Sequence, residues 1–237
     1  MIVALDVPSI EEAWGIVQKL DGAASFFKLG PWLSLVPGFD KLLDGLIEKG
    51  NRVFLDTKGQ DIPETMRAGV RVAARRQISF LTIHGNEEVT DDALRAAVEG
   101  KGESDLKLFM VTVLTSLDQS DMGATGYDMP LADLAVNRAQ RAMRCGVDGV
   151  IASGLEARAI KNAAGRLGRE FLVTSPGIRP KTTNSDDHKR VATPSAAITA
   201  GADYLVIGRP IIRAADPARV TAAILNEMQS AFDAKTR

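Results

Sequence analysis

An α/β fold, a (β/α)8 TIM barrel built by residues 1–237 as a single domain, is what this sequence predicts, and three observations carry the prediction. Eight short apolar runs recur along the chain, amphipathic helical patterns separate them, and the segment after the first run, "LDVPS", contains no glycine. Near-continuous apolar runs mark strands buried on both faces, as in parallel sheets. Each parallel strand needs a crossover of a dozen or more residues, so eight strands with their helices fill about 230 residues. An open doubly wound sheet is the competing architecture, and the missing glycine-rich dinucleotide turn argues against it. No linker, low-complexity stretch or charged tail divides the chain.

Taken in order, "IVALD" (2–6) is the first strand. The capping box Ser9-Ile10-Glu11-Glu12 then opens a helix whose apolar face is Ile10, Ala13, Trp14, Val17 and Leu20. "FFKLG" (26–30), "RVFLD" (52–56) and "SFLTIHG" (79–85) follow as strands, with "AGVRVAARRQ" a helix between the last two. "LKLFMVTVL" (106–114) is the fifth strand, and "LADLAVNRAQRAMRC" a long helix leading into "DGVIAS" (148–153). "EFLVTSPG" (170–177) and "DYLVIGRP" (203–210) complete the set. Thr193-Pro194 and Asp216-Pro217 each pair an N-cap with a first-turn proline, and each opens an amphipathic stretch.

Composition narrows the classes of function. With 45% hydrophobic and 25% charged residues the chain can bury a large core, and its net charge of -1 comes with scattered Lys and Arg. No nucleic-acid partner and no anionic membrane surface are expected. "MIVALDVPSI" lacks the basic and apolar regions of a signal peptide, and no apolar run approaches the roughly 18 residues of a membrane span. The expectation is a soluble, cytoplasmic protein. The one cysteine, Cys145, ends a helix and has no partner for an internal disulfide, so it reads as packed.

Active sites in this fold lie at the C-terminal ends of the strands. Those ends carry Asp6, Lys28, Asp56 with Lys58, His84, Thr115 with Ser116, Arg179, and Gly208 with Arg209. Asp56 and Lys58 are two apart, so a strand persisting through them sends both side chains to one face, with Asp61 beyond on the loop. Adding Lys28 makes an array of alternating sign, in which each group favours the charged form of its neighbours against desolvation. An Asp-x-Lys taken alone fits a structural ion pair; the second aspartate and the other strand ends favour a ligand site. His84 reads first as a residue satisfying a buried backbone group, with a site role as the alternative. "SPGIRP" and "VIGRPI" put glycine and arginine after the seventh and eighth strands, where barrels frequently bind phosphate. The polar stretch "PKTTNSDDHKR" between them is of the kind that folds over a ligand, or an ordinary solvated loop.

These motifs, from "ALDVP" through "FKLG", "FLDTKGQDIPET", "LTIHG", "TVLTS" and "SPGIRP" to "YLVIGRPI", resemble the orotidine 5′-monophosphate (OMP) decarboxylase family over essentially the whole chain. The resemblance implies a homodimeric (β/α)8 barrel of pyrimidine biosynthesis that converts OMP to UMP with neither metal nor organic cofactor. It implies that Lys58 protonates the carbon losing CO2, that Asp56 faces the departing carboxylate, and that Lys28 bridges Asp56 and the ribose. Asp6 would bind ribose hydroxyls, while Asp61 and Thr65 would reach the neighbouring subunit's ligand. Thr115 and Ser116 match the segment contacting the pyrimidine, and Arg179, Gly208 and Arg209 match the phosphate site. His188 stands where the family usually has a glutamine joining phosphate to pyrimidine. Gly85 replaces a more usual alanine, a change expected to be minor.

Two other functions fit parts of the pattern. A magnesium-dependent sugar-phosphate aldolase or decarboxylase shares Asp-x-Lys-x-x-Asp, but needs hard oxygen ligands where "FFKLGPW" supplies Lys28. A non-catalytic sensor of a phosphorylated ligand would keep Arg179 and Arg209 but has no use for Lys58 between two aspartates.

Overall fold

A computed structural model describes residues 1–124, 126–180 and 190–236. Among them, eight parallel strands close into a barrel in sequence order. They are β1 (Ile2–Ala4), β2 (Phe26–Leu29), β3 (Arg52–Gly59), β4 (Phe80–His84), β5 (Lys107–Val111), β6 (Gly149–Ile151), β7 (Leu172–Ser175) and β8 (Tyr204–Ile207). β8 returns to β1 through Ile2↔Val206 and Val3↔Ile207. Every strand lies within one of the eight apolar runs except β3, which continues past its run.

Around the barrel stand α1 (Ile10–Lys19), α2 (Phe39–Glu48), α3 (Pro63–Arg75), α4 (Asp91–Lys101), α5 (Gln119–Ala124) and α6 (Leu131–Cys145). α7 (Ala157–Arg166), α8 (Pro194–Ala200), the single turn α9 (Arg209–Ile212) and α10 (Pro217–Thr236) complete the ring. The starts are set locally. Ser9 Oγ accepts from Glu12 N–H at 3.1 Å and Thr193 Oγ1 from Ala196 N–H at 3.1 Å. Asp216 Oδ1 accepts from Arg219 N–H at 3.0 Å. Caps of this kind contribute about 1 kcal/mol each.

Strand alternation divides the apolar residues into two sets. One face of each strand packs outward on the helices, joining Val3, Leu29, Val53, Leu81, Met110, Val173 and Leu205 to α-helical side chains in the main core. The other face fills the barrel with Ile2, Ala4, Phe26, Phe54, Phe80, Phe109 and Val206. Phe80 lies 4.9 Å from Phe26 and 4.9 Å from Tyr204, edge to face in both pairs. The guanidinium of Arg52, the first residue of β3, stands 4.2 Å above the Phe26 ring. Aromatic packing and this cation thus close the N-terminal end of the barrel.

The fifth strand is shorter than its 106–114 run. Beyond Val111 the chain turns, and the carbonyls of Val113 and Leu114 accept from the guanidinium of Arg190 at 3.1 and 2.9 Å. Val113 joins Met122, Leu131 and Leu134 in a small apolar cluster. Apolar character there marks burial under a loop, not strand.

Candidate active site

The aromatic layer positions the charged one. Side chains two residues apart on a strand share a face, so Ala4, Phe26 and Phe54 inside the barrel imply that Asp6, Lys28 and Asp56 follow on the same side, one step nearer the C-terminal end. The geometry agrees. Lys28 Nζ lies 2.9 Å from Asp6 Oδ1 and 3.4 Å from Asp56 Oδ2, and Lys58 Nζ lies 2.9 Å from the same Asp56 oxygen. The result is a chain of alternating charge, Asp6–Lys28–Asp56–Lys58.

The array keeps its inner members charged. Burial works against the Lys28 ammonium, but Asp56 and then Asp6 outweigh it and raise its pKa. Burial works against the Asp56 carboxylate, yet Lys28 and Lys58 together lower its pKa. An unpaired ion at either position would be strongly disfavoured.

β3 does persist through Asp56 and Lys58, but not regularly. Its register against β4 shifts between Leu55 and Gly59, and Lys58 has φ +50°, a left-handed conformation uncommon outside glycine. What holds this backbone is Thr82, a fully buried residue of β4. Its hydroxyl accepts from Lys58 N–H at 2.9 Å and donates to Asp56 Oδ1 at 2.8 Å. One hydroxyl therefore fixes both the ammonium's backbone and the carboxylate's orientation. Thr82 was not among the residues expected here. In "FLTIH" it looks like an ordinary β-branched strand residue, although its spacing of two from Phe80 does place it on the inward face.

A cavity of about 560 Å³ opens above this array, within the size range of small-ligand sites. Ala4, Phe54, Val111, Ile151 and Val206 give it an apolar floor, and Asp6, Lys28, Asp56 and Lys58 line one side. Thr115, Ser116, Arg179, Gly208 and Arg209 line it as well. Gly177, also in the lining, has φ +71°, a conformation that turns the chain after β7 so that the buried Arg179 reaches the cavity. Trp32 and Arg213 stand in the lining too, and neither was anticipated. Arg213 is four residues from Arg209, hence on the same face one turn on.

Other expected residues lie elsewhere. Asp61 and Thr65 are exposed and outside the cavity lining of this chain; Asp61 Oδ1 accepts from Ile62 N–H at 2.7 Å. His188 lies outside the described residues. His84 satisfies a backbone group, its Nδ1 accepting from Asn86 N–H at 3.1 Å. Its pKa is lowered by burial first, then by Arg138 and Lys58. Cys145 is buried at the end of α6, and burial raises its pKa. Gly85 is more constrained than expected: a Cβ there would meet Val111 O at 2.6 Å and Met110 Cε at 2.7 Å. Alanine would need β5 to move.

Residues 1–224 match the model of a family described as Orotidine 5′-phosphate decarboxylase / HUMPS. The chain is 46% identical over 232 residues to an orotidine 5′-phosphate decarboxylase of Nitrobacter winogradskyi, covering 98% of this chain and 93% of the relative. It is 42% identical over 231 residues to one from Methylorubrum extorquens, covering 98% and 96%. The crystal structure of an orotidine 5′-phosphate decarboxylase from Lactobacillus acidophilus superposes with a TM-score of 0.80 at 34% identity, covering 96% of this chain and 98% of that one.

Proposed function

The chain belongs to the orotidine 5′-phosphate decarboxylase / HUMPS family, and on that premise we propose that it is a carboxy-lyase converting OMP to UMP and CO2. The observation that carries the choice of chemistry is the chain Asp6–Lys28–Asp56–Lys58 along one side of an apolar-floored cavity that Arg179, Arg209 and Arg213 also line.

In this reading, Arg179 and Arg209 take the phosphate, with Gly208 leaving room beside the first turn of α9. Asp6 and Lys28 meet the ribose, and the pyrimidine lies on the apolar floor against Thr115 and Ser116. The substrate carboxylate then stands near Asp56, whose lowered pKa keeps it ionised. Repulsion between the two carboxylates is relieved as CO2 departs. The breaking C–C bond leaves its electron pair on a ring carbon with no carbonyl placed to absorb it. Lys58 answers that need: a fixed ammonium stabilises the growing charge without reorganising, then transfers a proton to the carbon. Neutral Lys58 regains its proton from solvent.

Enzymes lower barriers by roughly 8 to 23 kcal/mol, more than one ammonium supplies. Binding energy from the remote phosphate therefore goes into orienting the ring over Lys58. The magnesium-dependent alternative is disfavoured by Lys28, whose ammonium contacts both carboxylates that a divalent ion would need.

The active unit in this proposal is the whole chain as one domain, paired with a second copy. Support for pairing is the exposed segment Asp61, Ile62 and Thr65, in which the apolar Ile62 is 67% exposed. A cytoplasmic setting suits the substrate, and among the described residues no helix is long and apolar enough to cross a membrane.

The test is to mix purified protein with OMP in EDTA and follow loss of orotate absorbance, with Lys58→Ala in parallel. Rapid loss with the wild type, reduced by several orders of magnitude in the variant, is the expected result. No loss, or loss only after magnesium is added, would send the assignment to the sugar-phosphate class.

A further inference from the structure

Thr115 and Ser116 belong to a turn, residues 113–117, whose backbone is held by a side chain from a distant part of the chain. Arg190 Nε donates to Leu117 O at 3.0 Å, and its Nη2 donates to Val113 O at 3.1 Å and Leu114 O at 2.9 Å. Its backbone N–H donates to Thr115 O at 3.3 Å. Its other terminal nitrogen pairs with Glu156, and the two side chains are 10% and 5% exposed. Glu156 is fixed in turn, its Oε2 accepting from Ser153 N–H at 2.9 Å.

Buried ion pairs are weak sources of stability, because desolvation offsets their attraction. Geometry gives this one a clearer use. Guanidinium is a rigid planar fork, so an arginine oriented by Glu156 on one edge presents the others at fixed angles to carbonyls on both sides of Thr115 and Ser116. A lysine would keep the charge but could not span those carbonyls.

We propose that Arg190, oriented by Glu156, is a positioning residue that sets where Thr115 and Ser116 stand in the cavity, and so acts on the base end of the bound nucleotide and not on its phosphate. The proposal rests on the decarboxylase reading above.

The test compares binding of UMP and of ribose 5-phosphate, which lacks the base, by titration calorimetry on wild type, Arg190→Lys and Glu156→Gln. Arg190→Lys is expected to weaken UMP about tenfold while changing ribose 5-phosphate by less than about twofold, and kcat/KM for OMP is expected to fall by about 10². In a Ser116→Ala background the same change should weaken UMP by distinctly less than about tenfold, because residues acting through one another are not additive and only the part carried by Thr115 remains. Equal weakening of both ligands, unchanged UMP affinity, or an undiminished effect in the Ser116→Ala background would overturn the proposal. Should Arg190→Lys fail to fold, Glu156→Gln carries the same comparison. A wild type that binds ribose 5-phosphate but not UMP would overturn the decarboxylase reading and the proposal with it.

Discussion

Replacing Thr82 by valine keeps the shape of a fully buried side chain and removes its hydroxyl. Two hydrogen bonds go with it, the 2.8 Å bond donated to Asp56 Oδ1 and the 2.9 Å bond accepted from Lys58 N–H. A hydrogen bond to a charged group contributes about 1.5–3 kcal/mol, and a buried N–H left without a partner costs about 1–3 kcal/mol. Thr82→Val should therefore lose about 2.5–6 kcal/mol of stability by urea denaturation. Activity should suffer separately. Without its tether, Lys58 can leave the φ +50° conformation, which is itself unfavourable by about 1–3 kcal/mol. A shift of about 1 Å in the proton donor corresponds to about 10²-fold in rate. The assay is kcat/KM for OMP decarboxylation at a temperature where the variant is still folded, with Thr82→Ser beside it. Serine keeps the hydroxyl and should retain most of the activity. Wild-type kcat/KM in Thr82→Val, or equal losses in the serine and valine variants, would refute the positioning argument.

Further tests address the rest of the molecule. Arg209→Ala should lower kcat/KM by about 10²–10³, since an unpaired phosphate contact of this kind costs about 2–5 kcal/mol; an unchanged value would remove Arg209 from the site. Asp56 has a lowered pKa in the folded state, so the unfolded chain takes up its proton first as pH falls. Its stabilisation is thus present above the ordinary carboxylate value of about 3.9 and is lost as pH falls further, through its own lower value. Denaturation measured between about pH 5 and 2 should accordingly show a steeper decline for wild type than for Asp56→Asn. Gly85→Ala should cost about 1–3 kcal/mol by overpacking against β5, seen as a drop of about 2–10 °C in Tm. An unshifted Tm would mean that β5 yields freely at that point.

What the sequence determined by itself is whatever depends on neighbours along the chain. Strand positions follow from runs of apolar side chains, and helix starts from hydroxyl or carboxylate caps three residues before the N–H they satisfy, as at Ser9, Thr193 and Asp216. The nearness of Asp56 and Lys58 was legible from their spacing of two, but the strand is irregular there, so simple alternation is not what joins their side chains. The barrel rule then brought Lys28, Asp6, Arg179 and Arg209 to the same rim. Tertiary structure alone decided what crosses between distant segments. Thr82 is 26 residues from the carboxylate it orients, and Arg190 is 73 to 77 residues from three of the carbonyls it holds. Neither separation leaves a mark in local composition, because a buried threonine resembles any β-branched strand residue and an arginine in a polar stretch resembles a solvated one. The left-handed turn at Lys58 belongs with them: no glycine stands there to announce it, and the conformation exists because the fold supplies Thr82 to hold it.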